Sequence, residues 1–145
     1  MLICDAAFSG GAAALTSALI AARESLAQGS SGVAPLNAVT HCLWPERAFD
    51  ERRPSLRFTG VGAVIHGGSG IFWGLLYELL RGRSDSAARI ATAAAATAAT
   101  AYVVDYHVVP KRLTPGFEAH INKRSFPKIY LALGVGLAIA SLARR

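Results

Sequence analysis

Four stretches of this chain are apolar for most of their length, with shorter polar segments between them. They cover residues 6–22 (AAFSGGAAALTSALIAA), 58–80 (FTGVGAVIHGGSGIFWGLLYELL), 87–109 (AARIATAAAATAATAYVVDYHVV) and 126–143 (FPKIYLALGVGLAIASLA). Each is close to the roughly 20 apolar residues that a helix needs to cross a bilayer. A helix of a water-soluble bundle shows a polar face at 3.6-residue spacing. The second and fourth stretches have none, and the third offers only threonines. The pattern therefore predicts an all-α membrane bundle of four transmembrane helices, forming a single domain over residues 1–145. Alanine is only weakly hydrophobic, so the third stretch is expected to be shielded from lipid by its neighbours.

The polar segments set the connections. The first, from Arg23 to Arg57, is a long loop. Such lengths usually carry function or structure of their own, and PLNAVTHCLW (35–44) reads as a short interfacial helix, with Trp44 at the membrane–water boundary. The second, around RGRSDS, is tight. The third, PKRLTPGFEAHINKRS, turns at Pro115-Gly116, where a type II turn takes glycine at its positive-φ position. Ser125 is placed to cap the fourth helix, and Pro127 fits its first turn, where a missing N–H is harmless.

Small residues recur at helical spacing. Ala63, Gly67, Gly70 and Gly74 lie three or four apart in the second stretch, Ala96, Thr97 and Thr100 in the third, and Gly134 and Ala138 in the fourth. Membrane helices pack through such stripes because they let backbones approach closely. These positions are the expected helix-packing contacts, within the chain or against another chain.

Composition agrees with a bilayer setting. Hydrophobic residues make up 52% and charged residues 17% of the chain, against about 25% charged in soluble domains. The cations sit at the edges of the apolar runs: Arg23, Arg81 and Arg83, Lys111 and Arg112, Lys123 and Arg124, Arg144 and Arg145. That is a membrane-flank pattern, and the lysine and arginine counts favour the first and third connections on the cytoplasmic side. A nucleic-acid surface needs a basic stripe interleaved with aromatics on a solvated face, and none is present. Cys4 and Cys42 fall on opposite sides of the first crossing, too far apart to bridge. No basic segment precedes the first apolar run, so it is expected to be retained rather than cleaved.

Polar groups inside the spans are the candidates for chemistry, because such groups are expensive in lipid. Antiparallel crossings bring His66, roughly 12 Å deep, and Asp105, roughly 6 Å deep at 1.5 Å per residue, to the same membrane face. His107 is shallower, His41 lies above on the first connection, and Glu118 lies on the third. His41, His66, Asp105, His107 and Glu118 thus form the candidate polar cluster, with His66, Tyr106, Lys111 and Arg112 as expected partners of Asp105. Glu78 belongs to the opposite face and pairs with Arg81 at i+3. The spacing contains no zinc-protease, Cys-x-x-Cys, P-loop or nucleotide-binding motif, so no cofactor is expected and metal binding is left open.

Three stretches, PLNAVTHCLWPERAF (35–49), IHGGSGIFWGLLYELL (65–80) and AYVVDYHVVPKRLTPGFEAHI (101–121), carry a resemblance. They resemble small bacterial inner-membrane proteins of unknown function that share N-x-x-x-H-x-x-W, F-W-x-x-x-Y-E and D-Y-x-V-x-P-x-R-x-T-P-G-F-E motifs. The matching positions run from Asn37, His41 and Trp44 through Trp73, Tyr77 and Glu78 to Asp105, Tyr106, Pro110, Arg112 and Thr114 to Glu118. The resemblance implies a multi-pass inner-membrane protein and assigns no catalytic residue. The expected role is a non-enzymatic structural or accessory component of a membrane assembly, with the lipid bilayer, other membrane chains or a second copy as partners and no nucleic acid. The alternatives are a small proton-linked transporter using His66 and Asp105, and a metal- or haem-binding membrane protein.

Overall fold

The computed structural model describes residues 1–144, so Arg145, counted among the flanking cations, lies outside it. Every element among the described residues is helical. Helix α1 spans Leu2–Ala27, α2 Ala34–Val39, α3 Val61–Arg81, α4 Ala87–Val103 and α5 Phe126–Leu142. A π-helical turn, Leu56–Gly60, leads into α3, and another, Val104–Val108, follows α4. Counted with these turns and with the 3-10 turn Lys123–Ser125 before α5, four helices are long and apolar enough to cross a membrane: Leu2–Ala27, Leu56–Arg81, Ala87–Val108 and Lys123–Leu142.

The first helix is longer than its apolar core suggested. It begins at Leu2 and runs through the expected loop start at residue 23 to Ala27. An open loop over 23–57 is therefore not what forms. Residues 28–55 fold around α2, which overlaps the short helix expected over 35–44, and a 3-10 turn, Thr40–Cys42, and Asn37 of that segment is used internally. Asn37 is 0% exposed. Its Nδ2 donates to the Glu51 carbonyl at 3.0 Å and the Arg53 carbonyl at 3.1 Å, while its Oδ1 accepts from the Thr59 hydroxyl at 2.7 Å. One side chain thus fastens α2 to the entry of the second crossing.

Helix α1 is the centre of the bundle and packs mainly against α3 and α5. Its contact face is made of Ala6, Ser9, Gly10, Ala13, Ala14, Ser17 and Ala21, whereas Phe8, Leu15 and Leu19 point outward. The same inversion recurs on α3 and α5, where Phe72, Leu79, Leu131 and Ile139 are exposed. Small residues inside and large apolar residues outside suit a lipid solvent, in which close backbone packing holds helices together. At the α1–α3 crossing a Cβ on Gly70 would lie 2.6 Å from the Gly10 carbonyl oxygen, and a Cβ on Gly74 would lie 2.4 Å from that of Ala6.

Several packing expectations need correction. Ala63 is exposed and Gly67 has no neighbour within reach of a Cβ, so the α3 contact face is Gly62, Gly70, Trp73, Gly74 and Tyr77. The face rotates because α3 seats on both α1 and α2, with Gly62 against the Leu36 carbonyl. On α4, Ala96 and Thr100 face out while Thr97 packs inward beside Ala93, Ala94, Ala98 and Ala101. Gly134 meets Ala94 and Ala98 of α4, and Ala138 packs partly buried on the main core. The alanine-rich helix is not the shielded one: 33% of its apolar window is buried, against 56% for the last helix. Ser125 does not cap α5. Its hydroxyl donates instead to Glu24 Oε2 at 2.6 Å, while Pro127 does occupy the first turn.

Candidate functional site

Two ends and one interior region of the bundle hold the polar groups. At the end carrying the tight second connection, Glu78 is 4% exposed. Arg81 Nη2 donates to its Oε2 at 2.8 Å, the i+3 pair expected from the sequence. The carboxylate also accepts from Ser9 of α1 and from Arg144 beyond α5. Arg144 in turn reaches Asp5 at 2.9 Å, and Tyr77 and Ser141 join their hydroxyls at 2.6 Å. Three helices are closed by one carboxylate. At the other end Glu24, also buried, accepts from Ser125 and from Lys128 Nζ at 3.0 Å, joining α1 to α5. Glu24 did not stand out in the sequence and Arg144 did so only as a flanking cation, because each lies outside the apolar runs, and these bonds are to residues far along the chain.

Between these ends lies a cavity of about 140 Å³. Ala14 and Ser17 of α1 form one wall, His66, Ser69, Gly70 and Trp73 of α3 a second, and Ile129, Tyr130 and Leu133 of α5 a third. Asp105, in the π-helical turn after α4, completes it, and the corner from Leu113 to Phe117 covers it. π-Helical turns are rare and recur at functional positions. This one ends before Pro110, which has no N–H with which to continue it.

His66 and Asp105 line this one cavity, and they do not bond each other. Asp105 Oδ2 accepts from the Tyr130 hydroxyl at 2.7 Å. That replaces the expected partners His66, Tyr106, Lys111 and Arg112. Tyr130 was legible in principle: it lies four residues into α5 on the face where the third crossing exits, at the depth of Asp105. His66 Nε2 lies 3.0 Å from the Ala14 carbonyl oxygen and 3.3 Å from Ser17 Oγ. A carbonyl only accepts, so the proton is on Nε2.

The rest of the expected cluster is elsewhere. His41 is buried below the cavity's cover, with Nδ1 2.9 Å from the Ala38 carbonyl, Nε2 3.0 Å from the Lys111 carbonyl, and its ring stacked on Phe49. It is a strut between the first and third connections. His107 is exposed, its ring edge-on to Tyr102. Glu118 is exposed, 3.4 Å from the Thr114 hydroxyl. Gly116 has φ 79° and ψ 0°, the type II value, and its Cα side faces the Ala38 carbonyl and His41. His120, outside the crossings, is 7% exposed, with Nδ1 3.0 Å from Ser30 Oγ and Nε2 lacking a hydrogen bond. Burial, followed by the nearby Arg52, holds its pKa below the ordinary histidine value.

Among the described residues no three His, Cys, Asp or Glu side chains converge as a metal site. Cys4 and Cys42 are both free. Compared with known protein families, curated proteins and solved structures, the chain matches none.

Proposed function

We propose that this chain is a multi-pass protein of a bacterial inner membrane that serves as a non-catalytic accessory component of a membrane assembly. One observation supports this reading above others. The buried and half-buried ionisable groups of the long helices each form bonds that tie helix to helix: Glu24 with Lys128, Glu78 with Arg81 and Arg144, Asp105 with Tyr130, and His66 with the Ala14 carbonyl. Glu24 and Glu78 lie at opposite ends, His66 and Asp105 share one cavity without bonding each other, and the groups do not run as a chain from one face to the other, as a proton relay requires. Partners would be lipid and other membrane chains or a second copy.

The alternative is a small proton-linked transporter, favoured by the shared cavity of His66 and Asp105. Reconstituted vesicles with an entrapped pH dye separate the two. The accessory reading expects an acid pulse to leak no faster than in empty vesicles, and expects gently solubilised native membranes to hold the chain in a defined larger complex. Proton flux that vanishes in Asp105→Asn, carried by an isolated chain, would replace it with the transporter. The metal- or haem-binding alternative lacks a converging ligand set among the described residues.

A further inference from the structure

The cavity has the size and chemistry of a ligand site. Its volume of about 140 Å³ is close to that of a cavity of about 150 Å³ that admits benzene, so it accommodates a body of six to ten or so non-hydrogen atoms. Unlike a dry packing defect, it has polar groups on two of its walls. Asp105 uses Oδ2 for Tyr130, and among the described residues nothing donates to its Oδ1. His66 donates through Nε2, and Nδ1 has no partner among the described residues; in the neutral ring that nitrogen is an acceptor. The unfilled groups on both walls therefore accept. The rest of the lining is mostly apolar or aromatic, with Ile129, Leu133 and the indole of Trp73 inside and the hydroxyl of Ser69, an exposed residue, at the rim.

We infer that this cavity binds a small primary amine with an aromatic or branched aliphatic body. The amine nitrogen donates to Asp105 and His66, and the body packs on Trp73, Ile129 and Leu133. At these two positions an amine supplies the donors that a carboxylate or a quinone carbonyl lacks, and its charge and body gain from the aromatic faces. The inference does not depend on the accessory role, since a scaffold and a transporter would both accommodate such a site.

Calorimetric titration of the full chain in detergent with benzylamine tests it, with empty micelles as blank and toluene and benzyl alcohol as comparators. The expected result is saturable binding of benzylamine in preference to toluene, weakened about tenfold or more by Asp105→Asn, which keeps the shape but removes the charged acceptor. Ser69→Phe fills the rim from an exposed position and is expected to abolish binding. Failure of benzylamine to bind saturably, or equal binding of benzylamine and toluene, would overturn the inference even if Asp105→Asn did not fold. Undiminished binding in Ser69→Phe would place the ligand elsewhere and overturn it too.

Discussion

Asp105 and His120 show how differently two polar residues are accommodated in this chain. Asp105 lies within a helix long and apolar enough to cross a membrane, Ala87–Val108, and is held by one tyrosine. His120 sits on the third connection, nearly buried, with one ring nitrogen satisfied and one not. Burial favours its neutral form, so its folded pKa lies below the unfolded value of about 6.5. The unfolded chain then binds more protons in the window beneath 6.5. The stabilising contribution is fully present above that value and is lost as pH falls through the lowered folded pKa. Thermal stability in detergent is expected to fall between about pH 7.5 and pH 5.5, with a smaller drop in His120→Gln. Equal drops in both chains would remove His120 as the source. The sequence placed His66 and Asp105 at one face because depth follows from helical rise. It did not reveal that His41 and His107 point away, because their direction is set by the first and third connections, whose course has no periodicity to read.

At the scale of elements, the α1–α3 crossing is the most constrained contact. A Cβ at Gly70 would meet the Gly10 carbonyl at 2.6 Å and Ala14 Cβ at 2.7 Å, whereas Gly67 has nothing within 4 Å. Gly70→Ala should therefore destabilise by about 1–3 kcal/mol through overpacking. Gly67→Ala should stay within about 0.5 kcal/mol, as surface positions do. Unfolding titrations in mixed micelles compare the two, and equal losses would show that the crossing relaxes around an added methyl. Sequence spacing put both glycines in one stripe, because i and i+3 or i+4 neighbours share a face on any helix. Which glycines meet a partner depends on the angle at which α3 passes α1, and that angle also answers to α2. The four apolar runs were legible because hydrophobic length is a local property. The continuation of α1 past residue 22 was legible too, as an amphipathic turn through Leu26, and the helix ends at Ala27; the partners of Glu24 there, Ser125 and Lys128, were not, because they lie a hundred residues away.

Across the whole molecule, the two ends are fastened by buried carboxylates of unequal strength. Glu78 is bound by two arginines that are themselves mostly buried. Glu24 relies on the half-exposed Lys128 and on Ser125. Glu78→Ala leaves two cations without their counter-charge and should cost about 3–5 kcal/mol, as broken buried pairs do. Glu24→Ala should cost less, because solvent screens Lys128. A smaller loss for Glu78→Ala than for Glu24→Ala, measured by denaturant unfolding in detergent, would contradict that ranking.

The sequence by itself determined the helical class, four apolar runs of membrane-spanning length, the Glu78–Arg81 pair and the turn at Gly116. All of these follow from contacts within a few residues or from hydrophobic length alone. Only the tertiary structure decided that Tyr130 holds Asp105, that Arg144 closes on Glu78, and that a cavity remains between His66 and Asp105. Those outcomes depend on where separate helices cross, and crossing geometry is set by the summed shape of small residues along whole faces rather than by any local pattern.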